Sequence, residues 1–118
     1  IRLSLVGSEM CKETAAAAAG DKLGENPVAL DVSEPFALAE VFLIVSAKND
    51  RQVLAISDAV EEALQKLGMK PRFTEGREAA RWILLDFGDL VVHVMHETER
   101  EFYSLERLWR DCPVVPVS

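Results

Sequence analysis

The sequence contains no long apolar run and only two cysteines, and each absence narrows the class of protein. No stretch of about 18 or more apolar residues is present, so no membrane-spanning helix is expected. The first residues, IRLSLVGSEMC, carry an apolar patch too short for a secretory signal. Cys11 and Cys112 lie near opposite ends of the chain, without His or Cys neighbours at metal-site spacing. We therefore expect two free thiols in a reducing cytoplasm and no membrane partner.

Basic residues are few as well. Thirteen Lys and Arg residues stand against 20 Asp and Glu residues, which gives a net charge of −7, and no basic cluster exceeds two adjacent positions. Because a protein that neutralises phosphates needs a dense Lys/Arg face, direct nucleic-acid readout is not expected. An acidic domain is better matched to a basic protein partner. The simpler interpretation is that the negative charge only keeps the protein in solution.

What the chain does have is enough apolar material for one core. Of its 118 residues, 49% are hydrophobic, which indicates a single domain. We expect residues 1–10 to be a poorly ordered lead-in, residues 11–113 to form the domain, and residues 114–118 to be an extended C-terminal tail.

The first half of the chain predicts two helices and two strands. KETAAAAAGDKLGEN is helical in pattern, with Gly24 as its C-cap. PVALDV and VFLIVSA are continuous apolar runs typical of buried strands, and SEPFALAE between them suggests one helical turn. The second helix is N-capped by Asn49, with Gln52 closing a capping box, and ends at Gly68. Its apolar stripe consists of Val53, Ile56, Val60, Leu64 and Leu67.

The second half predicts a short edge strand at KPRFT, a loop at EGREAA, and a hairpin. The hairpin strands are residues 81–86 and 89–95, joined by a two-residue turn at Phe87-Gly88. ETEREFYSLERLW then has the apolar spacing of a helix, with Trp109 more typical of a structural residue. The order of these elements indicates an α/β fold, as a mixed five-stranded sheet with helices packed mainly on one face.

The hairpin pattern separates two faces. If Asp86 pairs with Asp89, then Trp82 pairs with His93, and side chains alternate between the faces. One face is aliphatic and should be core: Ile83, Leu85, Leu90, Val92 and Val94. The other is mixed: Trp82, Leu84, Asp86, Asp89, Val91 and His93. A Trp with acids at the rim suits an interface with a basic partner, although a partly covered outer sheet face has the same pattern.

Several blocks in order carry a family resemblance. They are ALDVS, SAKNDRQV, an EG pair before a Trp-containing strand, LLDFGDLVVHV and REFYSLERLWRD. Together, from about Leu23 to Pro113, they resemble the Iojap family, the ribosomal silencing factors. The chain departs from that family at Ala39-Glu40, where Thr-Asp is usual before the second strand.

The resemblance implies a nucleotidyltransferase-like fold without transferase chemistry or a cofactor. It further implies binding to large-subunit ribosomal protein fourteen, a block on joining of the small subunit, repression of translation under nutrient limitation, and often a dimer. The matching contact positions are Glu75, Gly76, Trp82, Asp86 and Phe87, with Tyr103 at the edge. His93 is expected to pair beside Trp82 on the mixed face.

Two alternatives remain. The first is a metal-dependent nucleotidyltransferase or nucleotide-binding protein with a degenerate site, although the sequence has no Asp-x-Asp pair beside a Gly-Ser within the family match. Asp86-Phe87-Gly88 lacks the other kinase motifs, and His93 and His96 should point to opposite sides of a strand rather than bind a metal together. The second alternative is a homodimeric adaptor whose mixed face pairs with itself.

Overall fold

The computed structural model describes residues 8–33 and 39–117, with the side chains of residues 11–33 and 39–117. Most of SEPFALAE, where a helical turn is predicted, lies outside the described residues, as do residues 1–7 of the predicted lead-in. The remaining three residues of that lead-in belong to the first helix, which begins at Ser8.

The elements follow the predicted order. They are α1 (Ser8–Asp21), β1 (Glu25–Asp31), β2 (Val41–Ala47), α2 (Asp50–Gln65), β3 (Phe73–Glu75), β4 (Trp82–Asp86), β5 (Leu90–His96), α3 (Glu97–Tyr103), α4 (Leu105–Leu108) and β6 (Val114–Val115).

One mixed sheet has the strand order β3-β4-β5-β2-β1-β6. β2 and β5 run parallel, and the other neighbours are antiparallel. This confirms the mixed α/β sheet but corrects the predicted number of strands from five to six. The sixth strand comes from the predicted tail: Val115 pairs with Ala29, and the Pro113 carbonyl accepts a hydrogen bond from the Asp31 N–H at 2.8 Å. Two residues between prolines carry too little pattern to distinguish a strand from an extended tail.

The inner face of the sheet is covered by α1 and α2. α2 is capped as predicted, with Asn49 Oδ1 accepting from the Gln52 N–H at 2.9 Å. The Gln52 side chain accepts from the Lys48 N–H instead of closing the box on Asn49. Four residues of the predicted stripe are fully buried; the fifth, Leu67, is only partly buried because it lies past the helix end.

α1 ends at Asp21, three residues before the predicted cap at Gly24. Leu23 makes the left-handed turn (φ 65°), and the Gly24 N–H donates to the Ala19 carbonyl at 2.8 Å. A Cβ on Gly24 would lie 2.8 Å from Val45 Cγ2. Glycine is therefore needed here for close packing of the loop against β2.

The outer face of the sheet is partly covered by α3 and α4. Ser104 adopts a left-handed conformation (φ 49°) and divides the predicted helical segment into these two short helices. As a result Leu105 is buried against the sheet, whereas Phe102 and Leu108 are exposed.

The hairpin has a register two residues away from the predicted one. Asp86 pairs with Val91 and Trp82 with Met95, and three residues, Phe87 to Asp89, separate the two strands rather than two. Asp86 Oδ1 accepts from the Gly88 N–H at 2.8 Å, and the Phe87 N–H donates to the Leu90 carbonyl at 2.8 Å. Because a shift of two preserves side-chain alternation, the assignment of the strand residues to two faces is still correct.

Candidate functional site

The outer face of the sheet stays open over β3 and β4. Directly paired residues share a face, and the register places Phe73 beside Asp86 and Glu75 beside Leu84. Trp82 lies on the same side of β4, because side chains alternate along a strand. We call this surface the outer patch; it consists of Phe73, Glu75, Trp82, Leu84, Asp86 and Tyr103.

Trp82 is held at the centre of the patch by two aromatic neighbours. Its indole N–H on β4 donates to His93 Nδ1 on the neighbouring strand β5 at 3.1 Å. On its other side the ring of Tyr103, which is half exposed, lies 4.9 Å away between centroids, at an interplanar angle of 49°. Trp82 itself is partly buried. The strand register pairs Trp82 with Met95 rather than with His93 as predicted, but this hydrogen bond still brings the two side chains together.

The outer face over β1 and β2 is largely covered. Trp109, which follows α4, packs edge-on against Phe42 with 6.0 Å between ring centroids. Leu105 and Cys112 are buried with Phe42 in a hydrophobic cluster on this outer face of the sheet. Trp109 is therefore structural, as its spacing suggested. On the short helices Phe102 and Leu108 are exposed, and in the outer patch Phe73 and Tyr103 are exposed.

α3 is fixed beside the patch by a charged bridge. Arg81 Nε and Nη2 both donate to Glu99 Oε1, at 3.0 and 2.7 Å, and Arg81 Nη1 reaches Asp50 Oδ1 at 3.4 Å. The bridge joins Arg81, directly before Trp82, to α3, the helix that ends at Tyr103. It therefore helps to hold Tyr103 beside Trp82.

Two predicted contact residues are buried, which is incompatible with the surface role expected of them. Phe87 is 6% exposed and packs into the inner core, because the longer turn directs it inward. His93 is 4% exposed and contacts Phe42 at 4.8 Å between ring centroids. Phe87 is thus a core residue, and His93 acts beneath the surface.

Gly76 and Asp86 have structural roles of their own. Gly76 has φ +93°, and a Cβ there would lie 2.0 Å from the Trp82 carbonyl oxygen. Asp86, besides capping the turn, pairs with Arg72 at 3.3 Å. Glu75 differs from both: it is exposed and, within the described residues, forms no ion pair.

Sequence reasoning missed two exposed aromatic side chains, one in the outer patch and one beside it. Phe73 lies on the short edge strand, where the pattern gave no face. Phe102 was assigned to a helical apolar stripe, but it contacts Tyr103 at 5.0 Å between ring centroids and faces outward. The cause is the left-handed conformation of Ser104, which ends α3 and changes the direction of the chain before α4. The apolar side chains on either side of it therefore do not form the single stripe of a continuous helix.

The described residues contain no group of three or more His, Cys, Asp or Glu side chains that could hold a metal ion. In the same part of the chain, no helix is long and apolar enough to cross a membrane. Both cysteines are buried and free. A polar cavity of about 600 Å³ lies between the ends of β1 and β2 and the short helices, but its buried Arg100 is already paired with Glu106.

Burial lowers the pKa of His93 to about 4, from an ordinary value of 6.5. Between pH 6.5 and 4 the His93 imidazole is therefore protonated in the unfolded chain but neutral in the folded chain. The free energy of unfolding consequently falls as the pH falls toward 4. We expect this residue to cost about 2 kcal/mol of unfolding free energy at pH 5 relative to pH 7.5. Urea unfolding of wild type and His93→Asn at both pH values measures the difference. An equal loss in both proteins contradicts the prediction.

The comparisons with known proteins agree with one another. A family model, "Ribosomal silencing factor during starvation" (RsfS), matches residues 7–118. The chain is 43% identical over 100 residues to the ribosomal silencing factor of Bacillus subtilis, covering 85% of each chain. A crystal structure from Chromobacterium violaceum superposes with a TM-score of 0.81 at 33% identity, covering 84% of this chain and 82% of the other. A mouse protein named "Mitochondrial assembly of ribosomal large subunit protein 1" is 49% identical over 35 residues, 30% of this chain and 15% of that protein.

Proposed function

Because the chain belongs to the ribosomal silencing factor family, we propose that it binds the large ribosomal subunit through the outer patch. The partner there is large-subunit ribosomal protein fourteen, and the bound domain blocks joining of the small subunit and so represses translation under nutrient limitation. We further propose that the fold is nucleotidyltransferase-like but has no transferase activity. The protein would then act in the cytoplasm, where the ribosomes are.

The observation that carries the proposal is an accessible aromatic and acidic surface on the part of the sheet that α3 and α4 leave open. Trp82 and Tyr103 are in contact and partly exposed, and aromatic anchors of this kind dominate the energetics of many interfaces. Glu75 lies on the same face and is free to pair with a cation of the partner. The net charge of −7 favours a basic partner at the level of the whole domain.

A silencing role of this kind needs bulk rather than chemistry. The domain measures 35 × 32 × 24 Å along its principal axes. A folded body of that size, held at the face where the subunits meet, excludes the small subunit by its volume. No cofactor or metal is needed for such a block.

The test is co-sedimentation with purified bacterial large subunits. We expect Trp82→Ala and Glu75→Lys together to weaken binding by about 100-fold, since loss of one anchor and a charge reversal cost about 3 kcal/mol. Glu75 is a better charge probe than Asp86, because Asp86 also caps the hairpin turn. The matched control is Glu62→Lys, the same charge reversal at an exposed position of α2.

The outcomes separate the hypotheses. Wild type and the control should pellet and inhibit subunit joining, while the double variant should do neither. If all three pellet equally, the ribosome remains the partner but the outer patch is not the contact. If wild type does not pellet, the proposal fails.

We propose self-association as a competing use of the same patch, since dimers are described for the family that the chain resembles. Light scattering of wild type and Trp82→Ala tests this. A dimer that persists in the variant excludes the outer patch as its contact.

A further inference from the structure

We propose that His93 is a positioning residue for docking: its buried Nδ1 fixes the indole of Trp82 in the orientation that the partner binds. This inference rests on the proposed function, because it explains how the central side chain of the outer patch is kept ready. His93 does not itself touch the partner, since it is 4% exposed.

The hydrogen bond between Trp82 and His93 determines which imidazole nitrogen carries the proton. An indole N–H can only donate, so the His93 Nδ1 that it reaches at 3.1 Å must be unprotonated and accepting. The proton of the neutral imidazole is then on Nε2. Burial favours this neutral form, which matches the lowered pKa of His93.

The other ring nitrogen of His93, Nε2, is not satisfied by this arrangement. Among the described residues, Nε2 is a buried nitrogen with no hydrogen-bond partner. An orphaned buried donor is destabilising, and an apolar side chain in this core would avoid the penalty. The unpaired Nε2 of His93 therefore lowers the stability of the fold. The hydrogen bond that Nδ1 accepts from Trp82 is the interaction that explains a histidine at this position.

The imidazole of His93 and the indole of Trp82 each contact a further aromatic ring. Phe42 on β2 contacts the imidazole at 4.8 Å with an interplanar angle of 63°, and Tyr103 contacts the indole at 4.9 Å. The imidazole is thus a fixed acceptor inside the core, and the indole is a half-buried ring tied to it. An anchor ordered before binding does not lose its rotamer freedom on binding, so the affinity is higher.

A substitution series separates an acceptor from a packing residue. In His93→Asn, Oδ1 replaces the accepting Nδ1 but volume is lost, whereas His93→Leu fills the space without an acceptor. We expect His93→Leu to weaken binding to large subunits about ten-fold and His93→Asn to bind more tightly than His93→Leu. In a Trp82→Phe background, which lacks the indole N–H, the two substitutions should bind alike. Tighter binding by His93→Leu than by His93→Asn, or an unchanged difference in the Trp82→Phe background, overturns the proposal.

A second measurement needs no ribosome. Solvent exchange of the Trp82 indole N–H is followed by ¹⁵N NMR, with its signal identified by its loss in Trp82→Phe. We expect exchange in wild type to be at least ten-fold slower than in His93→Leu. Fast exchange in wild type overturns the proposal by itself, even where His93→Leu fails to fold. If exchange is slow but wild type does not bind large subunits, the proposed function fails while the positioning bond stands.

Discussion

Gly76→Ala is expected to lower the free energy of unfolding by about 4 kcal/mol, the largest single effect we anticipate. Two causes add. At φ +93° a residue with a Cβ is strained, and the Cβ would lie 2.0 Å from the Trp82 carbonyl oxygen and 3.1 Å from its carbonyl carbon. These neighbours are backbone atoms at the start of β4, so the loop and the strand would have to separate.

Gly88→Ala is the matched control. Gly88 has a similar φ of +99°, but no atom lies within 4 Å of the position that a Cβ would take there. It should show the conformational strain alone, about 1 to 2 kcal/mol. Chemical denaturation of the three proteins measures both terms. Equal losses in the two variants would mean that the loop yields to the Cβ at Gly76 and that the close approach to β4 is unimportant for stability.

Arg100→Met is expected to cost about 3 kcal/mol. Arg100 is buried, and its Nε and Nη2 donate to Glu106 Oε2 at 3.1 and 2.6 Å. Its Nη1 also donates to the Glu25 carbonyl and to Ser46 Oγ, both at 3.3 Å. The guanidinium thus joins α3 to α4 across the Ser104 break and to the ends of β1 and β2. The lower end of the range for a broken buried pair applies, because the Glu106 side chain is 37% exposed.

The control for this prediction lies on α4. Arg107→Met removes an exposed guanidinium and should change stability by no more than about 0.5 kcal/mol. The double variant Arg100→Met/Glu106→Leu should be more stable than Arg100→Met alone, because it leaves no carboxylate without its partner. Thermal and urea unfolding of the four proteins are the measurements. A double variant less stable than Arg100→Met would contradict the idea that the ion pair is the main contribution.

Both predictions bear on the proposed docking surface. Gly76 supports the strand that begins with Trp82, and Arg100 holds the helix that ends with Tyr103. A residue can therefore match a contact position of the family and still act through the fold. This applies to Gly76 and Phe87, which the resemblance placed among the contacts.

Local sequence signals determined the elements whose causes are local. The bounds of β2 match the run VFLIVSA, which is apolar except at Ser46, because a strand buried on both faces takes mostly apolar side chains. α2 begins at the predicted cap and buries four of the five residues of the predicted stripe, because both features depend on residues within one or two turns. The two hairpin faces were also correct in spite of a wrong register, because side-chain alternation survives a shift of two.

Tertiary structure alone decided the features that depend on distant parts of the chain. The hydrogen bond from Trp82 to His93 joins β4 to β5, the Gly76 backbone approaches β4, and Val114–Val115 joins the edge of β1. Neither the left-handed Ser104 nor the inward turn of Phe87 has a local marker in the sequence. Periodicity and capping residues report the interactions of a side chain with its near neighbours, whereas the outer patch forms where β3, β4 and α3 meet and only the folded chain brings them together.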